Sequence, residues 1–316
     1  MESQFPDAAT IQETHALIKP YIHRTPVMSS RQLNRMAGAE LYFKCENFQK
    51  VGAFKMRGAT NAVLRLSDAE AERGVATHSS GNHAAALALA ARNRGIRAYI
   101  VMPKTAPEIK KKAVAGYGAE IIFCEPTLQA REETLQQVVE RTGATFIHPY
   151  NNWRVIAGQA TAALEMLQEI PDLDVLLAPV GGGGLLSGTA LAARWFSPKT
   201  EVYGAEPAGA DDACRSLQAG RIIPSINPNT IADGLLTSLG PKTFAVISRQ
   251  VREILTVDDG QIVEAMRGIW ERMKIVVESS AAVPLAVAFQ YRQRFSGKKV
   301  GIILSGGNVD LSRLPF

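Results

Sequence analysis

Along most of the chain, short apolar runs rich in β-forming residues alternate with longer segments whose apolar positions recur at helical spacing. Strand-like Gly74–Thr77 precedes helical Gly81–Asn93, and strand-like Ala98–Met102 precedes helical Pro107–Tyr117. The alternation continues to a last strand at Lys299–Leu304. Strands and helices in this order predict parallel sheets covered by helices, which is an α/β fold.

The N-terminal segment and one internal segment depart from this alternation. Thr10, followed three residues later by Glu13, predicts a capping box that opens a helix ending near Pro20. Ile222–Asn229 contains two prolines and predicts a long irregular loop, which is a candidate for covering a site.

The composition argues against several classes of protein. With 316 residues, 46% hydrophobic and 21% charged, the chain can bury a large core and is expected to form two domains. Its three cysteines show no paired spacing, so neither a disulfide framework nor a zinc site is predicted. No apolar run approaches the roughly 20 residues that cross a bilayer, and the acidic start at Met1 is not a signal peptide. We therefore expect a cytoplasmic protein that does not bind membranes.

The net charge of +5 is compatible with anionic ligands, but it lacks the pattern of a nucleic-acid-binding protein. The basic run Lys110–Lys112 is short enough to be a solvated helix face. No nucleic acid partner is expected.

Lys55 stands where a strand-like segment at Leu41–Phe43 and a polar turn give way to a helical pattern. Because Phe54 and Met56 flank it, this lysine could lie in a partly apolar pocket. Desolvation would lower its pKa and leave a neutral amine able to attack an aldehyde. The alternative is a lysine that extends its charged end into solvent from an ordinary amphipathic helix.

Two loops at predicted strand-to-helix junctions have unusual compositions. Thr77–His83 places Ser, Asn and backbone N–H donors at the start of a helix, which suits a carboxylate, although a simple N-cap explains part of it. Gly181–Gly184 places four bare backbone units before a helix, which suits a phosphate, although a flexible loop is the alternative. The nucleotide motifs fit poorly, because Thr189 stands where a P-loop lysine would be and no dinucleotide glycine pattern is present.

A buried amine, a phosphate site and a carboxylate site together suit a phosphorylated aldehyde that binds an amino acid as an imine, and pyridoxal 5′-phosphate meets that description. The sequence resembles the fold-type II pyridoxal phosphate enzymes, within them the branch of serine racemase and serine/threonine dehydratase, including threo-3-hydroxyaspartate dehydratase. The resemblance runs from Arg24 to Asp310. The motifs that carry it are Phe54–Ala59, Ser79–His83, Gly181–Gly184 and Ser305–Asn308.

The resemblance implies a two-lobed fold like that of the tryptophan synthase β subunit, with parallel twisted sheets flanked by helices. Residues 1–66 and 150–316 would form a large domain that binds the cofactor, and residues 67–149 a small mobile domain inserted in it. The small domain is expected to close over the substrate, with Gly74–His148 moving as a unit. A homodimer is also implied.

The resemblance further implies roles for single residues. Lys55 would form the Schiff base and take the α-proton, Phe54 would pack against the pyridine ring, and Ser305 would face the pyridine nitrogen. The phosphate would be held by Gly181, Gly182, Gly183 and Gly184. The substrate carboxylate would be bound by Ser79, Ser80, Asn82 and His83, with Asn82 also bonding the 3′-oxygen of the cofactor.

A divalent cation site is implied at Glu206, the carbonyl of Ala210, and Asp212. Oxygen ligands completed by water suit Mg²⁺, with Ca²⁺ or Mn²⁺ as alternatives. Without the resemblance, these acids would be interpreted as a charge pair at a helix N-terminus.

Two residues bear on the activity. Ser80 would be a proton donor on the face opposite Lys55, which permits racemisation, and Arg131 would reach a side-chain carboxylate such as that of 3-hydroxyaspartate. For Arg131 the alternative is a surface residue paired with Glu132 or Glu133.

We expect an ammonia-lyase (dehydratase) that converts serine, threonine or threo-3-hydroxyaspartate to a 2-oxo acid and ammonia. The first alternative is a serine or aspartate racemase that uses Lys55 and Ser80 on opposite faces. A more remote alternative is a non-catalytic anion-binding protein on the same scaffold.

Overall fold

The structure is a computed structural model that describes residues 5–106 and 108–316. Its strands are β1 (Val27–Ser29), β2 (Glu40–Cys45), β3 (Val75–His78), β4 (Ala98–Pro103), β5 (Glu120–Cys124), β6 (Thr145–Phe146), β7 (Val175–Pro179), β8 (Glu201–Pro207), β9 (Glu253–Val257) and β10 (Lys299–Leu304). Its helices are α1 (Ala8–Ile18), α2 (Arg31–Ala37), α3 (Lys55–Leu64), α4 (Asp68–Arg73), α5 (Asn82–Arg94), α6 (Glu108–Gly116), α7 (Leu128–Thr142), α8 (Trp153–Glu169), α9 (Gly184–Phe196), α10 (Asp212–Ala219), α11 (Pro241–Gln250), α12 (Asp259–Met273), α13 (Ser279–Gln290) and α14 (Arg292–Phe295).

Among the described residues the strands form two sheets. One has six strands in the order β1-β2-β10-β7-β8-β9, and the other has four in the order β5-β4-β3-β6. Every pairing is parallel except that of β1 with β2. The predicted α/β fold with parallel sheets is therefore confirmed. The four-stranded sheet and the helices α4 to α7 lie within residues 67–149.

Helices cover both faces of each sheet, as the strand residues show. Leu177 and Ile302 belong to a core shared with α12 and α13, whereas their neighbours Leu176 and Ile303 belong to a core shared with α8 and α9. Since successive side chains of a strand point to opposite faces, the large sheet is buried on both sides. This arrangement explains why its strands read as continuous apolar runs rather than as an alternating pattern.

Most predicted elements are found within a few residues of their expected bounds, but the first helix differs. The helix α1 begins at Ala8, because the Asp7 carboxylate accepts the backbone N–H of Thr10 at 2.8 Å and caps the helix. The predicted capping box at Thr10 and Glu13 is wrong. Pro107, the expected start of the helix observed at Glu108–Gly116, lies outside the described residues.

In the described part of the chain, two helices of ten or more residues were not predicted from the sequence. Pro241–Gln250 follows the irregular segment, and Ser279–Gln290 is apolar on nearly all sides and contains Pro284. A helix buried all round shows no apolar stripe, so periodicity does not reveal it. In the described part of the chain, no helix combines the length and apolar character needed to cross a bilayer.

Candidate active site

The carboxyl ends of β3, β7, β8 and β10 each lead into a loop that carries one of the motifs. The carboxyl ends of parallel strands are where α/β proteins bind ligands. Of these strands, β7, β8 and β10 belong to the six-stranded sheet and β3 to the four-stranded sheet. The loops are Ser79–Gly81 before α5, Val180–Gly183 before α9, Ala208–Asp211 before α10 and the turn that begins at Ser305.

Lys55 is the first residue of α3 and is partly buried. Its Nζ donates to the carbonyl of Pro149 at 3.0 Å and lies 5.0 Å from the centroid of the Phe54 ring. Burial lowers the pKa of this lysine to about 8, and the nearby Glu278 carboxyl opposes the change. The expectation of a lysine in a partly apolar pocket with a lowered pKa is confirmed. At pH 7 about a tenth of such an amine is uncharged, far more than for an ordinary lysine.

The turn after β10 fixes the position of Lys55. The backbone N–H of Phe54 donates to the carbonyl of Ser305 at 3.0 Å, and Ala53 pairs with Gly306 in a β-bridge. The structure therefore brings the Lys55 and Ser305 motifs together, although 250 residues separate them in the sequence (305 − 55). Ser305 is buried.

The glycine loop is closed against an aromatic side chain. A Cβ added to Gly182 would lie 2.3 Å from the ring of Tyr150, and one added to Gly181 would lie 2.8 Å from the Cα of Leu235. Gly183 has φ +85°, in the left-handed region. Side chains are therefore excluded, and the loop presents bare backbone at the N-terminus of α9, as an anion site requires.

The Ser79–His83 motif enters α5, with Gly81 at the N-cap. His83 is buried, and its Nε2 donates to the carbonyl of Ile147 at 3.1 Å. Burial, followed by the positive charge of Lys55, lowers the pKa of His83 to about 3. Its imidazole is therefore neutral, and its Nδ1 is an acceptor that has no partner among the described residues.

Sequence reasoning did not assign the buried carboxyl of Glu278 to the site. Its oxygens accept from the Asn82 Nδ2 at 3.1 and 3.2 Å, and burial raises its pKa to about 7. His148 and Tyr150 were also missed. His148 packs edge-to-face on Tyr150 with ring centroids 4.5 Å apart, and burial lowers its pKa to about 4. The available signal was Glu278 at the start of an apolar segment, where an isolated acid needs a partner.

Arg131 lies in the first turn of α7, with its Nε buried and without a hydrogen-bond partner in the described residues. No ion pair with Glu132 or Glu133 is found among those residues. Its charge acts on His78, at the end of β3, and on Cys124. Arg131 therefore lies close to the strand end that leads into the Ser79–His83 motif.

Glu206 and Asp212 form a second polar cluster, beyond the glycine loop. Glu206 accepts the backbone N–H groups of Ala213 and Cys214, both at 2.8 Å, and burial raises its pKa to about 8. Asp212 is buried, neither of its carboxylate oxygens has a partner among the described residues, and burial raises its pKa to about 6. The nearby Arg215 is exposed and pairs with Asp211 instead, so two buried carboxyls without an ion-pair partner of their own fit a bound cation.

Fold and site together define an α/β protein with a bare-backbone anion site before α9 and a partly buried lysine of lowered pKa at the start of α3. The model of a family described as "Pyridoxal-phosphate dependent enzyme" matches residues 18–306. The chain belongs to this family, and it is a pyridoxal phosphate-dependent enzyme with the fold-type II architecture. The resemblance to the serine racemase and hydroxyaspartate dehydratase branch is confirmed by the relatives below.

Three relatives illustrate the similarity. A beta-hydroxyaspartate dehydratase of Paracoccus denitrificans is 53% identical over 302 residues, which cover 96% of each chain. An L-threo-3-hydroxyaspartate ammonia-lyase of Saccharomyces cerevisiae is 50% identical, covering 94% of this chain and 91% of the relative. The structure of maize serine racemase superposes with a TM-score of 0.95 at 48% identity, covering 97% of this chain and 94% of that one.

Proposed function

We propose that the protein is a pyridoxal phosphate-dependent ammonia-lyase that converts a β-hydroxy-α-amino acid to a 2-oxo acid and ammonia. The substrates proposed are serine, threonine and threo-3-hydroxyaspartate. The observation that carries the proposal is the partly buried Lys55, whose pKa is lowered to about 8 and whose Nζ donates to the carbonyl of Pro149, the residue before the Tyr150 that packs on the glycine loop. The dehydratase and ammonia-lyase relatives support the same reaction class.

The residues around Lys55 fit the cofactor. The bare backbone of Gly181, Gly182, Gly183 and Gly184 offers N–H donors to a phosphate, and Phe54 offers an aromatic face beside the lysine amine. Asn82 offers an amide to the ring's 3′-oxygen, and Ser305 a hydroxyl to the ring nitrogen. When bound, the cofactor supplies an electron sink for the carbanion formed at the substrate's α-carbon.

The protein's residues then bind the substrate and move protons. Lys55, with its lowered pKa, is the base that takes the α-proton. Ser79, Ser80 and Asn82 offer donors to the substrate carboxylate at the start of α5. For His83 we assign the backbone N–H rather than the ring, because its ring proton is already donated to Ile147.

Racemisation of serine or aspartate is the second candidate. It is favoured by Ser80, a hydroxyl in the loop before α5 that would donate a proton on the face opposite Lys55. The similarity to maize serine racemase supports it. Both reactions begin with the same proton abstraction, so one site can perform both.

We assign Mg²⁺, with Ca²⁺ or Mn²⁺ as alternatives, to the Glu206 and Asp212 carboxylates and the Ala210 carbonyl. Support comes from the orphaned oxygens of Asp212 and from the burial of both acids. The cation would hold the loop between β8 and α10, next to the glycine loop.

Residues 67–149 are proposed to move as a small domain against residues 1–66 and 150–316, closing over the substrate. The ion pair between Lys110 and Asp233, 3.0 Å apart, would join the two in the closed form. We further propose a cytoplasmic homodimer that acts without nucleic acid or membrane. Light scattering of the purified protein and fractionation of its cells test these two assignments.

Borohydride reduction followed by peptide mass mapping tests the proposal. A pyridoxyl adduct is expected on Lys55, and it should be absent in Lys55→Ala but present in Lys50→Ala. Release of 2-oxo acid from each of the three substrates, with chiral analysis of the remaining amino acid, then separates the two activities. An adduct on another lysine, or none, contradicts the proposal, and a colourless protein would favour the non-catalytic alternative.

A further inference from the structure

Glu278 is a buried acid at a contact between segments from distant parts of the chain. It is the N-cap residue of α13, and its backbone N–H donates to the carbonyl of Gly306 at 3.0 Å. A Cβ at Gly306 would lie 2.8 Å from the Glu278 Oε1, so the glycine of this turn allows the carboxyl to approach. The side chain is 6% exposed.

Among the described residues, every hydrogen-bond partner of the Glu278 carboxyl is a donor. The Asn82 Nδ2 lies 3.1 Å from Oε1 and 3.2 Å from Oε2, and the backbone N–H of Asn308 donates to Oε2 at 3.2 Å. Since both oxygens accept hydrogen bonds, these contacts favour the ionised carboxylate and oppose burial, which raises the pKa of Glu278 to about 7. A protonated carboxyl, or a glutamine, would place a donor against a donor.

Asn308 completes the arrangement from the other side of the Asn82 amide. Its Nδ2 donates to the Asn82 Oδ1 at 2.9 Å and to the carbonyl of Val51 at 2.8 Å. The Asn82 amide is therefore held in one orientation, with its nitrogen towards Glu278 and its oxygen towards Asn308. One N–H shared between the carboxylate oxygens leaves the second N–H of the Asn82 Nδ2 available to a ligand.

The charge of Glu278 also acts on Lys55, whose pKa it raises against the effect of burial. Asp233 and Lys110 also act on Glu278, and these two residues form an ion pair 3.0 Å long. Glu278 lies near Lys55 because Gly306, which packs against the Glu278 carboxyl, pairs with Ala53, two residues before Lys55.

We infer that Glu278 is a positioning residue of the active site: with Asn308 it orients the Asn82 amide towards the cofactor, and it provides the negative charge opposite the Lys55 amine. This inference rests on the proposed site, because Lys55 and Asn82 are assigned to the cofactor there. Substitution of Asn308 should therefore affect only the orientation of the Asn82 amide. Substitution of Glu278 should affect both that orientation and the negative charge near Lys55.

The first measurement needs no bound cofactor. The full chain is freed of cofactor with hydroxylamine, its fold is checked by circular dichroism, and the rate at which an amine reagent labels Lys55 is followed against pH by mass spectrometry. In Glu278→Gln the apparent pKa of Lys55 should fall by about one pH unit or more. In Asn308→Ala and in the control Glu253→Gln, which removes an exposed acid paired with Arg294, it should stay unchanged.

The second measurement is the affinity for pyridoxal phosphate, together with the absorption spectrum of the loaded enzyme between pH 6 and 9. Glu278→Gln should weaken binding about tenfold and shift the pH dependence of the spectrum. Asn308→Ala should weaken binding severalfold without that shift, and Glu253→Gln should change neither. If Glu278→Gln does not fold, Glu278→Asp replaces it, with the Lys55 pKa retained and the affinity reduced.

The inference is overturned if Glu278→Gln leaves the pKa of Lys55 and the cofactor affinity unchanged, or if Asn308→Ala moves that pKa as far. If Glu278→Asp is used instead, an unchanged affinity for pyridoxal phosphate also overturns the inference. Failure of the proposed function has a different result, namely no adduct on Lys55 in the wild-type protein, and the labelling measurement still decides the effect of Glu278 on this lysine.

Discussion

Burial opposed by a nearby charge sets the chemistry of Lys55. The apolar surroundings favour the neutral amine, and the Glu278 carboxyl favours the ammonium, so the pKa is about 8 rather than far lower. A base of this kind is partly deprotonated at neutral pH and still a good proton acceptor. The flanking Phe54 and Met56 suggested the apolar part of this environment, whereas the acid at position 278 could not be placed beside Lys55 from the sequence.

The hydroxyl of Ser80 should matter for only one of the two activities. In Ser80→Ala, racemisation is expected to fall by about two orders of magnitude, because the proton donor opposite Lys55 is lost, whereas 2-oxo acid release should fall much less. Chiral chromatography and a coupled 2-oxo acid assay on the same samples measure both. An equal loss of the two rates would refute this division of roles.

The guanidinium of Arg131 should select dicarboxylic substrates. For Arg131→Ala we expect kcat/KM with threo-3-hydroxyaspartate to fall about 10- to 100-fold relative to that with threonine, since a charge-assisted hydrogen bond contributes about 1.5–3 kcal/mol. Arg141→Ala is the matched control, because Arg141 is on the same helix, is 65% exposed and pairs with Glu120. An unchanged ratio of the two kcat/KM values would mean that Arg131 does not contact the substrate.

Removing the Asp212 carboxylate should abolish the stabilisation of the protein by Mg²⁺. Mg²⁺ at a hundred times its Kd is expected to stabilise the wild-type protein by about 2.7 kcal/mol, which thermal unfolding detects. Asp212→Asn should unfold at the same temperature with and without Mg²⁺. Asp211→Asn, which removes an exposed acid paired with Arg215, should keep the response, and its loss there would contradict the assignment.

Among the elements, the junction of β7 and α9 depends on the absence of side chains. The Gly182 backbone packs against Tyr150, and the ring is held in turn by His148. The loop therefore has a fixed shape, which explains why glycine is needed at a junction that lies inside the core rather than at the surface.

A methyl group at this junction should be poorly tolerated. In Gly182→Ala the new Cβ would lie 2.3 Å from the Tyr150 ring, so the ring or the loop must move. We expect a loss of about 1–3 kcal/mol in the free energy of unfolding and a clear loss of cofactor affinity, measured by denaturant titration and by pyridoxal phosphate binding. Gly116→Ala is the control, because a Cβ there has no neighbour within 4 Å. Equal behaviour of the two variants would argue against a close-packed loop.

For the molecule as a whole, buried histidines should confer sensitivity to acid. The pKa of His148 is lowered to about 4 and that of His83 to about 3, both chiefly by burial, from an ordinary value of 6.5. Well above pH 6.5, these two imidazole rings are neutral in the folded protein and in the unfolded chain. As the pH falls from 6.5 towards 4 and then 3, the unfolded chain binds protons that the folded protein does not, so stability is lost progressively.

A variant isolates this contribution from that of Glu206, Asp212 and Glu278, whose raised pKa values act with the opposite sign. His148→Asn keeps an acceptor for the backbone N–H groups of Tyr150 and Asn151 but does not titrate. Between pH 6.5 and 4 its stability should fall less steeply than that of the wild type, by about 1.4 kcal/mol per pH unit. His23→Asn, at an exposed position, should follow the wild type, and the same slope in both variants would contradict the argument.

The sequence pattern was sufficient to predict the features of the fold and site that depend on local geometry. Alternation of apolar runs predicted the parallel sheets, and the glycines before α9 predicted bare backbone at an anion site, because backbone conformation and side-chain period are properties of a few consecutive residues. Lys55 was found in the same way, from its place between a strand and a helix. Helix α13 was not predicted, because a segment that is apolar on all sides has no periodic hydrophobic pattern.

The partners of buried polar groups could be found only in the folded chain. Asn82 meets Glu278 across 196 residues and Asn308 across 226, and the carbonyl that accepts from Lys55 lies 94 residues away. A buried donor must find an acceptor somewhere, but no local rule says which distant segment supplies it, since that depends on how helices and sheets pack. The chemical groups of the proposed site could therefore be identified from the sequence. The position of Glu278 beside Asn82 and Lys55 could not, because it depends on how three distant segments pack.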